Sequence, residues 1–369
     1  MSYELIVGFA VAIFVSTCVL IMKLTRQKSD SIPLIIITTG CAVIIAALPK
    51  PLLIALDTLR IMLGITPPSS QSPTYTIFSF VTGIILILIG LHTRNQTKNR
   101  IHILNMLGFN KHEICDPKNT KALGFAEHKI REYYIDFMHH FNDGNLNAST
   151  SKYIVATIKE EVLRFNHRSI EFTRYFTGTA PIPYTILAGT FLDTGSNMGY
   201  LECNRFKGNV FYALSKKGKS KKKRICQTME IADPVGDKLS TDVVVAVSVT
   251  FRVQEADLER FTRKGYPIIN FSVENPAHNI INDIQQLNEY IEVIVRGLEN
   301  LRTTFPSLQT IHLACAIPSC ISIELGRRIS ASRNMMPRII SYHFKTSEKY
   351  TFGIVMTGDG KGKFIPQNI

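Results

Sequence analysis

The chain has 369 residues, a formal net charge of +13 and seven cysteines. The cysteines are unevenly spaced, form no C-x-x-C pair and have no histidine at zinc-site spacing, which argues against a structural zinc module and favours buried thiols. The motifs G-x-S-x-G and H-E-x-x-H are also missing, so the sequence shows no protease or nuclease active site and predicts no catalytic residue, cofactor or metal.

Three uncharged runs occupy the first quarter of the chain, at 5–22, 31–49 and 74–91. At about 1.5 Å rise per residue, each run is long enough to cross a hydrocarbon core of roughly 30 Å. Buried core helices are one alternative, and a cleaved signal peptide is another for the first run. The four residues before it carry no basic side chain, which argues against a signal peptide. We therefore predict a transmembrane region over 1–94 with about three spans.

Basic residues flank two of these runs and predict the orientation. They follow the first run at Lys23, Arg26 and Lys28, and the third run at Arg94, Lys98 and Arg100. Because basic flanks stay in the cytoplasm, we expect the N-terminus outside and everything after residue 91 in the cytosol. The segment 51–65 is shorter and charged, and it is read as an amphipathic helix on the outer surface or a re-entrant piece.

Residues 95–180 are predicted to be a helical connector. An amphipathic helix is expected over 120–141, and the Asp143-Gly144-Asn145 turn ends it. Ser149 or Thr150 then begins a second helix, whose apolar positions follow at helical spacing.

From residue 181 the pattern changes to strands and then to alternating strands and helices. Strands are predicted over 183–189, 200–206, 210–214, 242–251, 266–273 and 350–357, and helices over 254–264 and 276–304. The pair 200–206 and 210–214 is expected to form a hairpin. The run 242–251 is rich in β-branched residues, which is typical of a fully buried parallel strand.

A basic segment at 216–224 holds seven lysines and arginines in nine positions. A run of this kind is usually a solvated loop. The alternatives are attraction to anionic lipid headgroups and a faster approach of a polyanionic ligand. No aromatic residue interrupts the run, which argues against single-stranded nucleic acid as a partner.

The stretch 310–344 predicts a strand, a Pro-Ser turn, an amphipathic helix and a second strand. Ser319 is the expected N-cap, and Pro337 ends the helix. A buried strand that turns into a helix leaves free backbone N–H groups at its carboxyl edge, where open α/β sheets bind anions. An ordinary βαβ unit of a core has the same pattern. The strand–turn–helix pattern also occurs after Ser248, so we expect two α/β halves that face one pocket for a quasi-symmetric, multiply anionic ligand.

At this point the chain resembles a known family. The segments IHLACAIPSCISIELGRR, PRIISYHF and VVVAVSVTF are similar to the SAVED domain, a sensor of cyclic oligonucleotides in the CBASS anti-phage systems of bacteria. The resemblance covers about 181–364 and implies an α/β fold of two fused CARF-like Rossmann halves, with the sensor over 181–369. The basic segment 216–224 departs from the general pattern.

The resemblance implies that ligand contacts come from the turns and helix starts after the matching strands. These residues are Ser248, Thr250 and Arg252 in one half, Pro318, Ser319 and Ser322 in the other, and Tyr342 and His343 at the end of the next strand. For each of them, a cap, core or surface position is the alternative. A salt bridge on the helix surface is the favoured role of Arg327 and Arg328, and the alternative is that one of them faces the ligand phosphates.

The run Gly358-Asp359-Gly360-Lys361-Gly362-Lys363 is read as a glycine-rich β-turn, because it lacks the full phosphate-loop pattern. The resulting hypothesis is a multi-pass effector of the bacterial inner membrane whose cytoplasmic sensor binds a cyclic oligonucleotide, such as a cyclic trinucleotide made by a partner nucleotidyltransferase. Binding would drive self-association and disruption of the lipid membrane, with no DNA or RNA polymer as partner. Alternatives are a membrane-tethered enzyme that hydrolyses cyclic oligonucleotides and a scaffold without a small ligand.

Overall fold

The computed structural model describes residues 36–42, 73–142, 146–193, 195, 197–204, 210–215, 229–231, 239–332 and 336–366. The chain divides into two compact units, one of Met1–Arg100 with Ile170–Phe172, the other of Ile101–Ser169 with Thr173–Ile369. The predicted segments 5–22, 51–65 and 216–224 lie outside the described residues, as does 31–49 apart from 36–42.

In the first unit, helix α1 covers Pro73–Lys98 and contains the predicted run 74–91. Its described side chains belong to residues 81–93. Six of them are apolar and exposed: Val81, Ile84, Ile85, Leu88, Ile89 and Leu91. Within the described part of the chain, no helix is both long enough and apolar enough to span a membrane.

The remaining strands and helices form two mixed sheets with helices between and around them. The strands are β1 Arg100–Leu107, β2 Lys129–Asp136, β3 Thr173–Thr179, β4 Met198–Asn204, β5 Val210–Ala213, β6 Met229–Ile231, β7 Asp242–Ser248, β8 Ile268–Val273, β9 Thr310–Ala316, β10 Arg338–Lys345, β11 Lys349–Val355 and β12 Phe364–Ile365. The helices are α2 Pro117–Leu123, α3 Met138–Asn142, α4 Ala148–Arg168, α5 Ile182–Gly189, α6 Glu259–Thr262, α7 Ile284–Thr304 and α8 Ser319–Ala331, with a 3-10 turn at Glu255–Leu258. The sheet orders are β2-β1-β3-β4-β5 and β12-β11-β10-β9-β7-β8-β6.

The five strands β1 to β5 and the five strands β7 to β11 repeat one topology, and we call these two sets of elements the first and second halves. Strand β1, the first of its half in the chain, pairs in parallel with β3, as β7 does with β9. The long helices α4 and α7 each begin after a side-chain cap, from Asn147 and Asp283. The unit from β3 to the following helix is offset by 137 residues between the halves, with Thr173 matching Thr310 and Pro181 matching Pro318. The chain therefore has two α/β halves, as expected, but the first is built from residues 100–213 and not from the Ser248 region where the sequence prediction placed it.

The halves meet where α5 and α8 cross, and two glycines permit the close approach. A Cβ atom on Gly189 would lie 2.0 Å from the carbonyl oxygen of Ile323, and one on Gly326 would lie 1.9 Å from that of Ile186. The contact is reciprocal, because each glycine faces the carbonyl three residues before the other. This is the arrangement expected at a pseudo-two-fold axis.

The sequence misplaced the first half. The strand predicted over 183–189 is helix α5, and all seven of these residues are buried. Uniform burial removes the polar positions that would have shown a helical period. The two strand–turn–helix patterns also do not belong to different halves, because β7 and β9 are neighbours in one sheet.

The helical connector predicted over 95–180 is wrong, because this segment supplies β1, β2 and β3 of the first half. The helix expected over 120–141 ends early at Gly124, which adopts a left-handed conformation with φ 71°. After it, Tyr133 and Ile135 are buried in alternation with exposed residues, the pattern of an edge strand with one buried face.

Several predicted elements are confirmed with shifted ends. The hairpin is formed by β4 and β5, and the valine-rich strand β7 is buried from Val243 to Ser248 between two parallel neighbours. The long helix predicted from residue 276 begins at Ile284, since its cap is Asp283. The glycine run at 358–363 is a turn, with Gly358, Gly360 and Gly362 at positive φ.

Candidate functional site

Each half carries a turn of the same construction at the carboxyl edge of its sheet. In the second half, the N–H groups of Val249 and Thr250 both donate to the carbonyl of Ala316, each over 2.9 Å. In the first half, the N–H groups of Gly108 and Phe109 both donate to the carbonyl of Thr179, over 3.2 and 2.9 Å. The loops that follow β7 and β1 are thereby fixed beside the starts of α8 and α5, respectively.

The start of α8 differs in detail from the sequence prediction. The N-cap is Pro318, whose side chain caps nothing, and Ser319 is the first residue of the helix. The sequence prediction that Ser319 is the N-cap is therefore wrong. Ser322 is buried, and its N–H and hydroxyl groups both donate to the carbonyl of Pro318 over 3.0 Å. Its side chain thus bonds within its own helix.

A carboxylate from the first half occupies this helix start. Oε1 of Glu202, on β4, accepts hydrogen bonds from the N–H of Cys320 over 2.6 Å and from the hydroxyl of Ser319 over 2.9 Å. Negative charge is favourable at a helix N-terminus, and charge-assisted hydrogen bonds are the strong ones. Burial, and then the nearby Glu202, raise the pKa of the Cys320 thiol. The amide group expected to meet a phosphate is therefore already bonded to an anion of the chain.

The start of α5 offers fewer donors than that of α8. Its second residue is Pro183, which has no N–H group, and the N–H groups of Tyr184 and Thr185 donate to the carbonyl of Pro181. The two helix starts match in backbone position but differ in chemistry. An anion at the carboxyl edge would therefore be recognised mainly from the α8 side.

The predicted residues after β7 have separate roles. Ser248 is buried, and its hydroxyl accepts a hydrogen bond from the N–H of Val253 over 3.0 Å, which fixes the turn. Arg252 is exposed and donates from Nη2 to the carbonyl of Glu274 over 3.1 Å. The half-buried Thr250 lies in the turn bonded to Ala316. The structure thus brings Ser248, Thr250 and the start of α8 to one edge.

Tyr342 lies inside a buried polar network. Its hydroxyl is 2.9 Å from Nδ1 of His312, whose Nε2 is 3.0 Å from Oδ1 of Asp242. The guanidinium of Arg260 stacks over the Tyr342 ring, 4.9 Å from the centroid. Tyr342 pairs with Ala314, two residues before the end of β9, so the structure does not bring it to the carboxyl edge with the other predicted residues.

His343, the next residue, contacts the first half. Its ring stacks on Phe109 at 6.1 Å and lies 5.1 Å from that of Phe352. Burial, with a smaller effect from Lys345, lowers the pKa of His343 to about 4, so the imidazole is neutral at pH 7. Phe109 is 42% exposed at the carboxyl edge and offers a ring face for stacking.

Sequence reasoning missed three residues of this edge: Phe109, Glu202 and Phe251. Phe251 is 43% exposed and packs against Phe344 at 6.1 Å. A signal for both phenylalanines was present, because each follows a long apolar run within a few residues of its end. Glu202 had no such signal, since its contact to α8 joins residues more than 100 positions apart.

In the described part of the chain, no group of three or more His, Cys, Asp or Glu side chains is arranged to hold a metal ion. Among the described cysteines, Cys315 and Cys320 are buried thiols. The site is thus made of backbone amides, a carboxylate, hydroxyl groups and aromatic rings.

Two α/β halves of one topology, joined about a pseudo-two-fold axis, define a duplicated Rossmann-like domain with its candidate site at the carboxyl edges. The family model described as SAVED, the SMODS-associated and fused to various effectors sensor domain, matches residues 157–356. This match covers more than half of the chain, and the chain belongs to the SAVED family.

Among solved structures, the chain is similar to the Cap4 SAVED/CARF-domain receptor of Acinetobacter baumannii. With the cyclic trinucleotide 3'3'3'-cAAA the identity is 15%, the TM-score is 0.46, and the match covers 80% of this chain and 58% of that chain. With 2'3'3'-cAAA the values are 14%, 0.47, 80% and 58%. The Cap4 receptor of Moraxella osloensis matches at 13% identity and a TM-score of 0.39, over 79% of this chain and 56% of that chain. No curated protein matches the sequence.

Proposed function

We propose that this chain is an effector of a bacterial CBASS anti-phage system that senses a cyclic oligonucleotide. The observation that carries the proposal is the SAVED sensor match over 157–356, which includes the carboxyl-edge turns of the second half. The duplicated fold supports it, because two matching turns suit a ligand with repeated nucleotide units. A cyclic trinucleotide is the ligand we expect.

The ligand is expected to lie at the carboxyl edges, between the loops after β1 and β7 and the start of α8. Phe109 supplies a ring for stacking a base, and a stacked base is worth about 1–3 kcal/mol. Thr250 and Arg252 supply a hydroxyl and a cation near the same edge. A phosphate would take the α8 amide that Glu202 now holds, so the carboxylate has to move aside.

The output is proposed to be self-association and membrane disruption. The uncharged runs at 5–22, 31–49 and 74–91 support a membrane region, and the exposed apolar side chains of α1 need a lipid or protein partner. A ligand that binds better to an associated state of the sensor would favour that state and cluster the N-terminal segments. The basic flanks of these runs support a sensor on the cytoplasmic side.

The central experiment exposes the full-length protein to cyclic di- and trinucleotides and measures both binding and the chemical fate of the ligand. We expect saturable binding with the ligand recovered intact. If the ligand is converted to a linear product, the protein is a hydrolytic enzyme and the sensor hypothesis is wrong. If no member of the series binds, the remaining hypothesis is a scaffold that has no small ligand.

The membrane step is tested by deletion and by replacement. A chain without residues 1–91 should still bind ligand and still self-associate, but should no longer depolarise cells. A chimera with one unrelated membrane span keeps the sensor at the membrane without the native segments. Killing by that chimera would show that the N-terminal region is only a tether, and that the lethal activity belongs to the sensor.

A further inference from the structure

Arg174 is a buried cation in the first half that the carboxyl-edge site does not use. It is the second residue of β3, and its side chain is only 2% exposed. Nη2 donates to Oδ1 of Asn166 over 2.9 Å, and the guanidinium lies 4.9 Å from the centre of the Phe165 ring. Among the described residues, Nε and Nη1 have no hydrogen-bond partner.

The nearest acid does not satisfy this guanidinium. A carboxylate oxygen of Asp193 lies 4.0 Å from Nη1, beyond hydrogen-bond distance, and the Asp193 side chain is 50% exposed. Buried charges are normally paired and hydrogen-bonded, because removing them from water is costly. Burial lowers the pKa of Arg174, the charge of Asp193 opposes this, and Arg327 adds to it as a like charge.

The fold does not require an arginine at this position. The matching residue of the second half is Ile311, which is fully buried in its strand. The same backbone thus accepts an aliphatic side chain, which would avoid the desolvation cost. Retaining a cation in only one half indicates a role specific to that half.

A second cation, Arg327 of α8, lies close enough to Arg174 to act on it as a like charge. Arg327 and Arg328 of α8 share the carboxylate of Glu324, which also accepts a hydrogen bond from the Tyr200 hydroxyl. Nζ of Lys361 reaches the carbonyl of Thr190 over 3.3 Å, in the segment that leads to Asp193.

We propose that Arg174 is the centre of a binding site for a small phosphate-type oxyanion, at the amino end of β3. An oxyanion here accepts from the unpaired N–H groups of the guanidinium and balances the local positive charge. The candidate ligands are free phosphate and the terminal phosphate of a mononucleotide. The site is separate from the carboxyl-edge site, which lies at the other end of the same strand, and it does not depend on the function proposed above.

The test uses the full-length protein with inorganic phosphate as the probe. Phosphate should stabilise the protein against thermal unfolding in a saturable way, beyond chloride at the same ionic strength, and should show a broadened phosphorus NMR line. Arg174→Gln should weaken phosphate binding about tenfold or more, since a charge-assisted contact is lost. Equal stabilisation by chloride, or unchanged phosphate binding in a folded Arg174→Gln protein, would overturn the site.

Asp193→Asn tests the same site without disturbing a buried residue. Removing the competing carboxylate should tighten phosphate binding several-fold, whereas Asp359→Asn on an exposed turn should leave it unchanged. Unchanged phosphate affinity in Asp193→Asn would contradict the proposal even if Arg174→Gln cannot fold. Adenosine monophosphate in a parallel titration identifies the ligand class, because tighter binding than phosphate indicates a nucleotide.

Discussion

The substitution Glu202→Gln tests whether the carboxylate at the start of α8 is displaced by ligand. The amide of Gln keeps the size of the side chain and one oxygen acceptor but removes the negative charge. In the unliganded protein this weakens the contacts to Cys320 and Ser319, which now lie at 2.6 and 2.9 Å. Hydrogen bonds to charged groups contribute about 1.5–3 kcal/mol, and neutral ones about 1.

The expected magnitude follows from these contacts. Glu202 is half-buried, so we discount the charge effect for solvent and expect a loss of about 1–2 kcal/mol in the free energy of unfolding. If a ligand phosphate has to displace the Glu202 side chain, binding to the Glu202→Gln protein no longer has to break these contacts. The free energy of binding then becomes more favourable by the same amount. That corresponds to about 5–30-fold tighter ligand binding. Stability and affinity should therefore change in opposite directions.

Calorimetric titration with a cyclic trinucleotide and urea unfolding measure the two quantities on one protein preparation. Glu160→Gln is the matched control, since it removes the same charge from the exposed face of α4. The inverse change, Ser319→Glu, places a second carboxylate beside Glu202 and should lower both stability and affinity. If folded Glu202→Gln protein binds ligand equally or more weakly, Glu202 is a fixed part of the site and the displacement model is wrong.

Three further predictions concern packing, pH dependence and stacking. Gly326→Ala puts a methyl group 1.9 Å from a backbone oxygen of α5 and should cost about 3 kcal/mol or more in unfolding measurements, whereas Gly195→Ala, with open space around it, should be neutral. The hydrogen bond from His312 lowers the pKa of Asp242, so its stabilisation is present above the unfolded pKa of about 3.9 and is lost as pH falls through the folded value. Asp242→Asn should therefore lose about 1–2 kcal/mol at pH 7 and flatten the acid limb of the stability curve. Phe109→Ala should weaken binding of the cyclic trinucleotide about tenfold with little loss of stability, and unchanged affinity would exclude base stacking there.

The sequence predicted the second half far better than the first. Strand β7 and the unit from β9 to β10 have long apolar runs, a proline turn and a helical period. These patterns are local in the sequence, and the folded elements agree with them. Helix α5 lacks them because it is buried on every side, and β2 was hidden because its alternation resembles part of an amphipathic helix. Contacts between the halves, such as that of Glu202 with α8, follow from the topology and have no local signature.

The sequence predicted two halves, but it could not show which positions match, since matching positions share backbone geometry and not chemistry. Thr250 matches Phe109, and Ile311 matches Arg174, although each pair occupies the same place in its half. Selection for the fold preserves burial and turn geometry, which many side chains satisfy. Residue identity is then free to diverge where it serves the ligand.

This divergence bears on how a cyclic ligand would be read. A ring of identical nucleotides presents the same groups to both halves, yet α8 offers an amide and a hydroxyl where α5 offers a proline. Phe109 likewise offers a ring where the second half has Thr250. We therefore expect the two halves to bind different parts of each repeated unit and to give the ring a preferred orientation. A ligand with one altered linkage is no longer symmetric. A pocket whose two halves differ would distinguish such a ligand from the uniform ring better than a fully symmetric pocket would.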